Sequence, residues 1–598
     1  MDTGLLKEVE HRVDFCVVGG GLAGMLAAIS AARHGAKVLL MTDRPVLGGN
    51  ASSEIRMWAL GCHGHNNRET GIIEEILLEN FYRNPTRNFS IWDSILYEKV
   101  RFEKNITLLL NCSCNSVEMH GGEDCSSGRS RIKSVRGWQL TTYTWHTVYA
   151  DYFADCSGDS ILAPLCGAEY RMGREAASEF GESIAPAAAD NKTMGLTCLM
   201  QAREVDAPVK YTPPGWAKVY ESDESLPNRD HNLADLKTNF WWMELGGEYD
   251  SIHDTEALRD ELLKIAFGVW DHIKNRGEHN ADNWELEWVG FLPGKRESRR
   301  YVGDHILTQN DVASQGKFED LVAYGGWSMD DHHPGGINYS GEPTIFHPAP
   351  APYGIPYRCL YSVNVDNLFF AGRNISATHA AMSSSRVMAT CAIIGQAVGT
   401  AASIAVKNRL SPREVYETGI SELKQTLMED DCYLPFNRRE ISGISKQAVL
   451  SSSEGEPAFL INGIDRPVMD ADNGWTGKTG SWVQFTFEGA IPVKSVRIVF
   501  DSDLNRTECA GDPIMVPYPM LCNKKHAMEP FGFPKTMVRD FTLEYLDDKN
   551  QWRLLIHADN NYQRLFRLDC NISAAAVRFT ANKTWGSDKV HLLAFEVK

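Results

Sequence analysis

Near its start the chain alternates unbroken apolar runs with clusters of small residues. Residues 15–18 (FCVV) predict a short buried strand, and residues 25–33, rich in Ala and Leu, predict a helix. Gly35 ends that helix, and residues 38–41 (VLLM) predict a second strand. Residues 106–154 carry apolar stretches broken by glycines and polar positions, the pattern of a β-meander. Between 173 and 352 the chain is rich in Trp, Tyr, His and charge, and its TEALRDELLKIAFGVWDHIKN segment repeats apolar residues every three and four positions, as an amphipathic helix does. Residues 368–371 give a further strand, then a glycine turn and a long small-residue helix from about Ser384. From about Ser442 short alternating runs with Gly, Asp and Asn turns predict an antiparallel β-sandwich. Its insertion at 501–534 is long for a loop, which points to function or disorder.

The first strand and helix are joined by Gly19-x-Gly21-x-x-Gly24, with Leu22 and Ala23 inside the motif. Gly19 allows the tight turn, Gly21 lets backbone N–H groups approach a pyrophosphate at the positive helix end, and Gly24 lets helix pack on strand. A bound dinucleotide follows from strand, turn, helix and strand in this order. Where an acidic residue ordinarily closes the second strand and grips the adenosine ribose, this chain has Thr42, then Asp43 and Arg44, so the grip passes to Asp43. Gly48 and Gly49, followed by Asn50, Ser53 and Glu54, offer a second close backbone approach to a long cofactor.

Composition narrows the partners. The 598 residues bear a net charge of −18 with no compensating basic run, which argues against nucleic acid or an anionic membrane surface. No stretch approaches the roughly 18 to 20 uninterrupted apolar residues of a membrane span. The start lacks a basic leader, so a cytoplasmic protein is expected, or a periplasmic one if an export signal was removed. The 14 cysteines include no Cys-x-x-Cys, which sets aside zinc ribbons and iron–sulfur clusters, and most are expected to be buried small hydrophobes. Cys62 alone lies near the proposed chemistry.

The paired glycine corners resemble flavoproteins of the glutathione-reductase-like class. Cys156, Ser157, Gly158 and Asp159 stand where that class carries an Ala-Thr-Gly-Asp-like turn, and NLFFAGRNISATHAAMSSSRVMATC supplies its second flavin unit, with Gly372, Arg373, Arg386 and Val387. Arg373 departs from the class, which often places an Asp there for the ribityl chain. With DRPVLGGNASSEIRMW and PGKRESRRYVGDHILTQNDV also present, residues 10–430 resemble a bacterial FAD-dependent oxidoreductase family, some of whose members are described as xanthan-lyase-like. The resemblance implies FAD and an α/β fold, a Rossmann-like FAD-binding domain of glutathione-reductase type. Its parts would be 10–172 and 353–440, around an inserted α+β substrate domain at 173–352. Residues 441–598 resemble a discoidin-like sandwich, a class that often binds sugars; a dimer surface or lid is the alternative.

A flavin exchanges hydride at N5, so the substrate needs a base near its hydroxyl and donors near developing charge. Candidate catalytic residues are His63, His65, Arg296, His379 and Arg386, drawn from cofactor-facing loops that also offer Glu54, Arg56, Arg299, Arg300, His332, His333 and Tyr339. His63 and His65 are flavin-site, packing or metal histidines; no third ligand is evident, and no metal is expected. The arginines are an anion clamp or a solvated face paired with Glu297, and His379 is a base, a flavin contact or a cap. Without cysteines after Gly49 a disulfide reductase is set aside. Without a second dinucleotide motif the electron acceptor is another, unknown carrier. The expected activity is hydride transfer between flavin N5 and a C–OH group of a carbohydrate or sugar-like polar substrate, by a possible homo-oligomer. The alternatives are glycoside cleavage through transient sugar oxidation and elimination, and a carbohydrate-binding or assembly protein with structural FAD.

Overall fold

The structure is a computed structural model that describes residues 6–121, 129–234, 239–506, 520, 523–526, 530 and 532–598. The described residues fall into two compact units, one drawn from Met1–Cys62, Arg87–Leu423 and Tyr518–Glu529, the other from His63–Thr86, Lys424–Pro517 and Pro530–Lys598.

The first unit is built on a seven-stranded sheet of β1 (Lys7–Val18), β2 (Val38–Met41), β3 (Ile106–Leu109), β4 (Cys112–Met119), β5 (Ile132–Gln139), β6 (Thr144–Asp155) and β7 (Leu368–Phe370). Its order is β3-β2-β1-β6-β5-β4, with β7 also on β6. β3, β2, β1, β6 and β7 pair in parallel, whereas β4, β5 and the first half of β6 form an antiparallel meander. The meander therefore begins at Cys112, and residues 106–109 are a parallel strand rather than its first arm. β1 is longer than its apolar run suggests. Only its last four residues are covered on both faces and read as continuous apolar sequence, whereas its first half is partly exposed beside the meander.

The middle of this unit has α2 (Thr255–Asp271), preceded in the chain by α1 (Leu22–Arg33), and α2 runs directly into a π-helical turn at His272–Arg276. The aromatic residues form its core, with Trp242, Trp270 and Trp284 buried among Phe240, Ile265 and Val269. Downstream, the single helix expected from about Ser384 is two helices, α3 (His379–Ser385) and α4 (Met388–Asn408), because Val387 is extended at φ −64°, ψ 145° and breaks the run. α4 is long and apolar enough to cross a membrane by length and composition, which the sequence did not lead one to expect, and 94% of that stretch is buried in the fold. It crosses α1 backbone to backbone: a Cβ on Gly395 or Gly399 would come within 2.0 Å of the Ala23 carbonyl oxygen or 2.1 Å of that of Ala27. These glycines fix where the two helix starts stand in the first unit.

The second unit is an all-antiparallel sheet of β8 (Val449–Ser452), β9 (Trp475–Lys478), β10 (Trp482–Phe500), β11 (Val538–Leu546), β12 (Trp552–Ala558), β13 (Leu565–Thr584) and β14 (Lys589–Val597). Register breaks in β10 between Thr486 and Ile491, and between Val493 and Ser495, let the long strands β10 and β13 turn around a core of Trp475, Phe485, Phe500, Phe541, Phe579 and Phe595. Leu78, on the helix Ile72–Arg83, joins that core, and Arg506 donates to Glu74 of the same helix at 2.7 Å. Residues 63–86, counted from sequence with the nucleotide-binding part, thus belong to the second unit. Of the 501–534 insertion, residues 507–519, 521–522, 527–529 and 531 lie outside the described residues.

Candidate active site

The two glycine corners meet. Gly48 N–H donates to the Gly20 carbonyl at 2.8 Å, and Gly21 and Gly48 form an isolated parallel bridge. A Cβ on Gly49 would stand 3.1 Å from the Gly21 Cα, whereas one on Gly21 would meet only the Gly49 Cα, at 3.9 Å. The Gly21 face is therefore open to a ligand at the start of α1, which holds Leu22, Ala23 and Gly24 in its first turn. Thr42 is buried at the end of β2; Asp43 is exposed and ion-paired to half-exposed Arg44 at 3.6 Å. Asn50 donates to the Lys295 carbonyl at 3.1 Å, and Ser53 N–H donates to Asp93. Glu54 is half-buried, which lifts its carboxyl above the ordinary range.

The Ser157–Gly158–Asp159 turn is fixed by a residue the sequence reading passed over. Buried Asp155 accepts hydrogen bonds from Ser157, from the Leu162 N–H at 2.8 Å and from the Tyr301 hydroxyl at 2.7 Å. Asp159 then accepts from Lys295 at 2.7 Å, Ser298 at 2.8 Å and Arg373 at 2.8 Å. Burial would raise the Asp159 carboxyl, but Arg373 and Lys295 outweigh it and hold it low. Arg373, placed after Gly372 where an acid was expected, is thus the counter-charge of Asp159.

Two buried relays converge on α3. In one, His379 Nδ1 lies 2.9 Å from Glu297 and Nε2 lies 3.1 Å from Asp331. Arg300 supports Glu297 at 3.3 Å and Glu175 at 2.9 Å, and Glu175 accepts the His379 backbone N–H. Burial opposes the charged imidazolium, but the Glu297 carboxylate and the hydrogen bonds to Asp331 and Glu297 prevail and lift His379 to about 9. In the other relay, Arg386 donates to Asp330 at 3.1 Å, Asp330 faces His332 Nε2 at 3.1 Å, and His332 Nδ1 faces Glu244 at 2.7 Å. His332 is raised in spite of its burial by Asp330 and Glu244.

Arg296 is a buried strut of this second relay. It donates to Thr197 at 2.6 Å and to the Trp241 carbonyl at 2.8 Å, and pairs with Glu244 at 3.5 Å. Arg296 and Arg300 are therefore not a solvated face, whereas Arg299 lies 5.4 Å over the Tyr170 ring. His63 and His65 belong to the second unit, where Asn67 donates to the His63 carbonyl and His65 faces Asn505. Cys62 is buried against the Gly325 carbonyl. Glu297 stands out in the sequence only as a neighbour of the arginines, and Glu175, Glu244, Asp330 and Asp331 not at all, because the partners of His379 alone lie 48 to 204 positions away and no local pattern signals them.

This unit has what FAD requires. Besides the open Gly21 face, buried Arg373 Nε, Asn374 Oδ1, Ser385 Oγ and Arg386 Nε have no hydrogen-bond partner, so polar atoms around the Gly372 turn and the α3–α4 junction are left for a ligand. Gly21, Gly48 and Gly49 would hold the pyrophosphate, and Arg373, Arg386 and Val387 would lie at the flavin end. The fold and these corners define a dinucleotide-binding flavoprotein. A family model described as FAD dependent oxidoreductase matches residues 14–427, and the chain belongs to that family; it is an FAD-dependent oxidoreductase.

No curated protein matches the chain. Among solved structures it is similar to the family 32 carbohydrate-binding module of Streptococcus pneumoniae EndoD, at 15% identity over 26% of this chain and 99% of that one, TM-score 0.20. A Streptococcus pneumoniae fucose binding module matches at 14% identity over 27% and 97%, TM-score 0.19. The family 32 module of C. perfringens NanJ, in complex with galactose, matches at 11% over 26% and 94%, TM-score 0.17.

Proposed function

We propose that the first unit transfers a hydride between the flavin N5 of bound FAD and a C–OH group of a carbohydrate or sugar-like polar substrate. The observation that carries this reading is His379, held between Glu297 and Asp331. When bound, FAD supplies the two-electron partner. The chain must then manage the hydroxyl proton and the charge on oxygen. At neutral pH His379 keeps both ring protons, directing one to Glu297 and one to Asp331, and presents a fixed positive charge that steadies a developing alkoxide. As pH approaches 9 it becomes a proton acceptor.

Asp331, whose side chain is one-fifth exposed, is the outward end of the relay; its carboxylate accepts the hydrogen bond of the substrate hydroxyl and takes that proton as the hydride leaves carbon. So many buried charges suit a polyhydroxylated substrate better than an apolar one. In the second unit Tyr82 and Tyr562 stack at 4.2 Å beside Trp585, an aromatic face of the kind that takes a sugar ring, in keeping with the same substrate class.

The test is an anaerobic screen. The purified protein is expected to be yellow, and at least one sugar or glycoside to bleach it. An oxidised spectrum unchanged by a broad panel of sugars, glycosides and hydroxy acids overturns the substrate assignment.

A further inference from the structure

Three imidazoles of the first unit that take no part in the two relays converge. His231, His272 and His279 have ring centroids 4.8 to 5.1 Å apart, with each pair of planes inclined by 60–61°. This is a three-bladed arrangement, whereas histidines packed for apolar contact alone have no reason to share one point. Asp223 closes the set: one ligand atom from each of the four residues lies within 4.8 Å of all the others.

The protons make the case sharper. His272 Nδ1 lies 3.1 Å from the Tyr220 carbonyl, which can only accept, so Nδ1 carries the hydrogen and Nε2 is the ring atom turned toward the cluster. That nitrogen lies 2.9 Å from Asp223 Oδ1 and 3.1 Å from His279 Nε2, and His279 Nε2 is also 3.1 Å from Asp223 Oδ1. His231 is nine-tenths buried, and its Nε2 has no hydrogen-bond partner at all. A single cation at the common point would satisfy all four groups. The 2.9 to 3.1 Å separations among His272, His279 and Asp223 are close to the ~3.3 Å edge of a tetrahedron with bonds of about 2.0 Å, and the His231 ligand atom stands within 4.8 Å of these three.

We infer that His231, His272, His279 and Asp223 form a binding site for a divalent transition metal of borderline softness, best matched by Zn²⁺. Three neutral imidazoles and one carboxylate make a tetrahedral N₃O set, whereas Ca²⁺ and Mg²⁺ require oxygen ligands. The hydrogen bond from His272 to Tyr220 is the outer contact that orients a ligating ring. The local backbone suits the role. The π turn that extends α2 carries His272, a form of turn often found at functional positions. Gly277 leaves room for the His279 ring, whose Nε2 would stand 2.1 Å from a Cβ there. His272 and His231 close the inner side, and exposed Asp223 leaves an entry path. The metal would tie the 220–231 segment to the end of α2 beside the Trp242, Trp270 and Trp284 core, a structural staple separate from the flavin chemistry.

The test uses the full chain, stripped with a chelator, dialysed, and given zinc sulfate. The site predicts one equivalent of tightly held zinc and, in crystals, an anomalous-difference peak at the zinc edge about 2 Å from the three imidazole nitrogens. His231→Asn and His279→Asn should each weaken zinc binding by more than tenfold while the flavin spectrum remains. Zinc that never reaches stoichiometry, a peak elsewhere with none at these residues, or a His231→Asn/His279→Asn protein that binds as the parent does overturns the assignment. If the variants fail to fold, the parent crystal alone decides.

Discussion

His379 and Glu297, 82 positions apart in the chain, meet at 2.9 Å in a fully buried contact, and the imidazole remains charged past neutrality as a result. Its folded pKa of about 9 lies above the ~6.5 of a free imidazole, so the stability it contributes is complete below pH 6.5 and is lost as pH rises through 9. That contribution is on the order of 3 kcal/mol. Glu297→Gln removes the charge that does most to raise His379 and leaves only Asp331 against burial, so the His379 pKa should fall from about 9 toward that of a free imidazole. Imidazole chemical shifts followed against pH check this directly, and the alkaline limb of anaerobic flavin reduction should move with them.

The glycine corners predict two different failures. A Cβ on Gly21 meets only the Gly49 Cα at 3.9 Å, and the backbone there is at φ −67°, so Gly21→Val should fold at a cost of about 1 kcal/mol or less. It should purify colourless, because the added methyls occupy the face needed for the pyrophosphate. On Gly24 a Cβ would come within 1.9 Å of the Gly19 carbonyl oxygen, so Gly24→Val should cost more than ~3 kcal/mol and be recovered largely insoluble. Absorbance at the flavin band and thermal melts of the soluble fractions separate the two.

How far the sequence shows these features depends on how local they are. The turn at Gly19–Gly24, β2 and the Gly48–Gly49 corner are legible because each is specified by residues a few positions apart. The break at Val387 is not: alanines and serines run through it without a breaker, and Arg386 is drawn to Asp330, 56 positions back. The same holds for the site. Histidine and arginine were singled out by type, but the acids that set their charge come from distant loops. The triad of His231, His272 and His279 had no spacing to reveal it, because a π turn and a separate loop bring the rings together.

Asp159 offers a test at the opposite end of the pH scale. Arg373 and Lys295 hold its carboxyl below the usual value, so its contribution is present above pH ~4 and lost as pH falls through its folded pKa. Asp159→Asn leaves two partly buried cations facing each other across the turn, with an expected cost of about 1–3 kcal/mol at pH 7 and weaker flavin retention. Urea midpoints at pH 7 and in acid well below pH 4 should show the variant's deficit shrinking on acidification. A deficit independent of pH would mean that the amide fails for packing reasons alone.

The second unit has its own buried ion cluster. Arg439, 1% exposed, pairs with fully buried Glu596 and with Asp465 at 3.0 Å, and Arg497 pairs with Asp465 at 2.8 Å. Glu596 also accepts the Ser442 N–H at 2.6 Å, so its carboxylate is held from two sides. Removing Arg439 alone strands that carboxylate in a dry interior, and Arg439→Met should cost about 3–5 kcal/mol. Glu596→Gln in the same chain removes the stranded charge while leaving an oxygen for Ser442. The double variant should therefore be more stable than Arg439→Met alone, with a coupling of roughly 1–3 kcal/mol. Urea unfolding read by the fluorescence of Trp475, buried in the same core, gives the comparison. If the double variant is no more stable than the single one, the cluster holds this unit together through Asp465 rather than through Glu596.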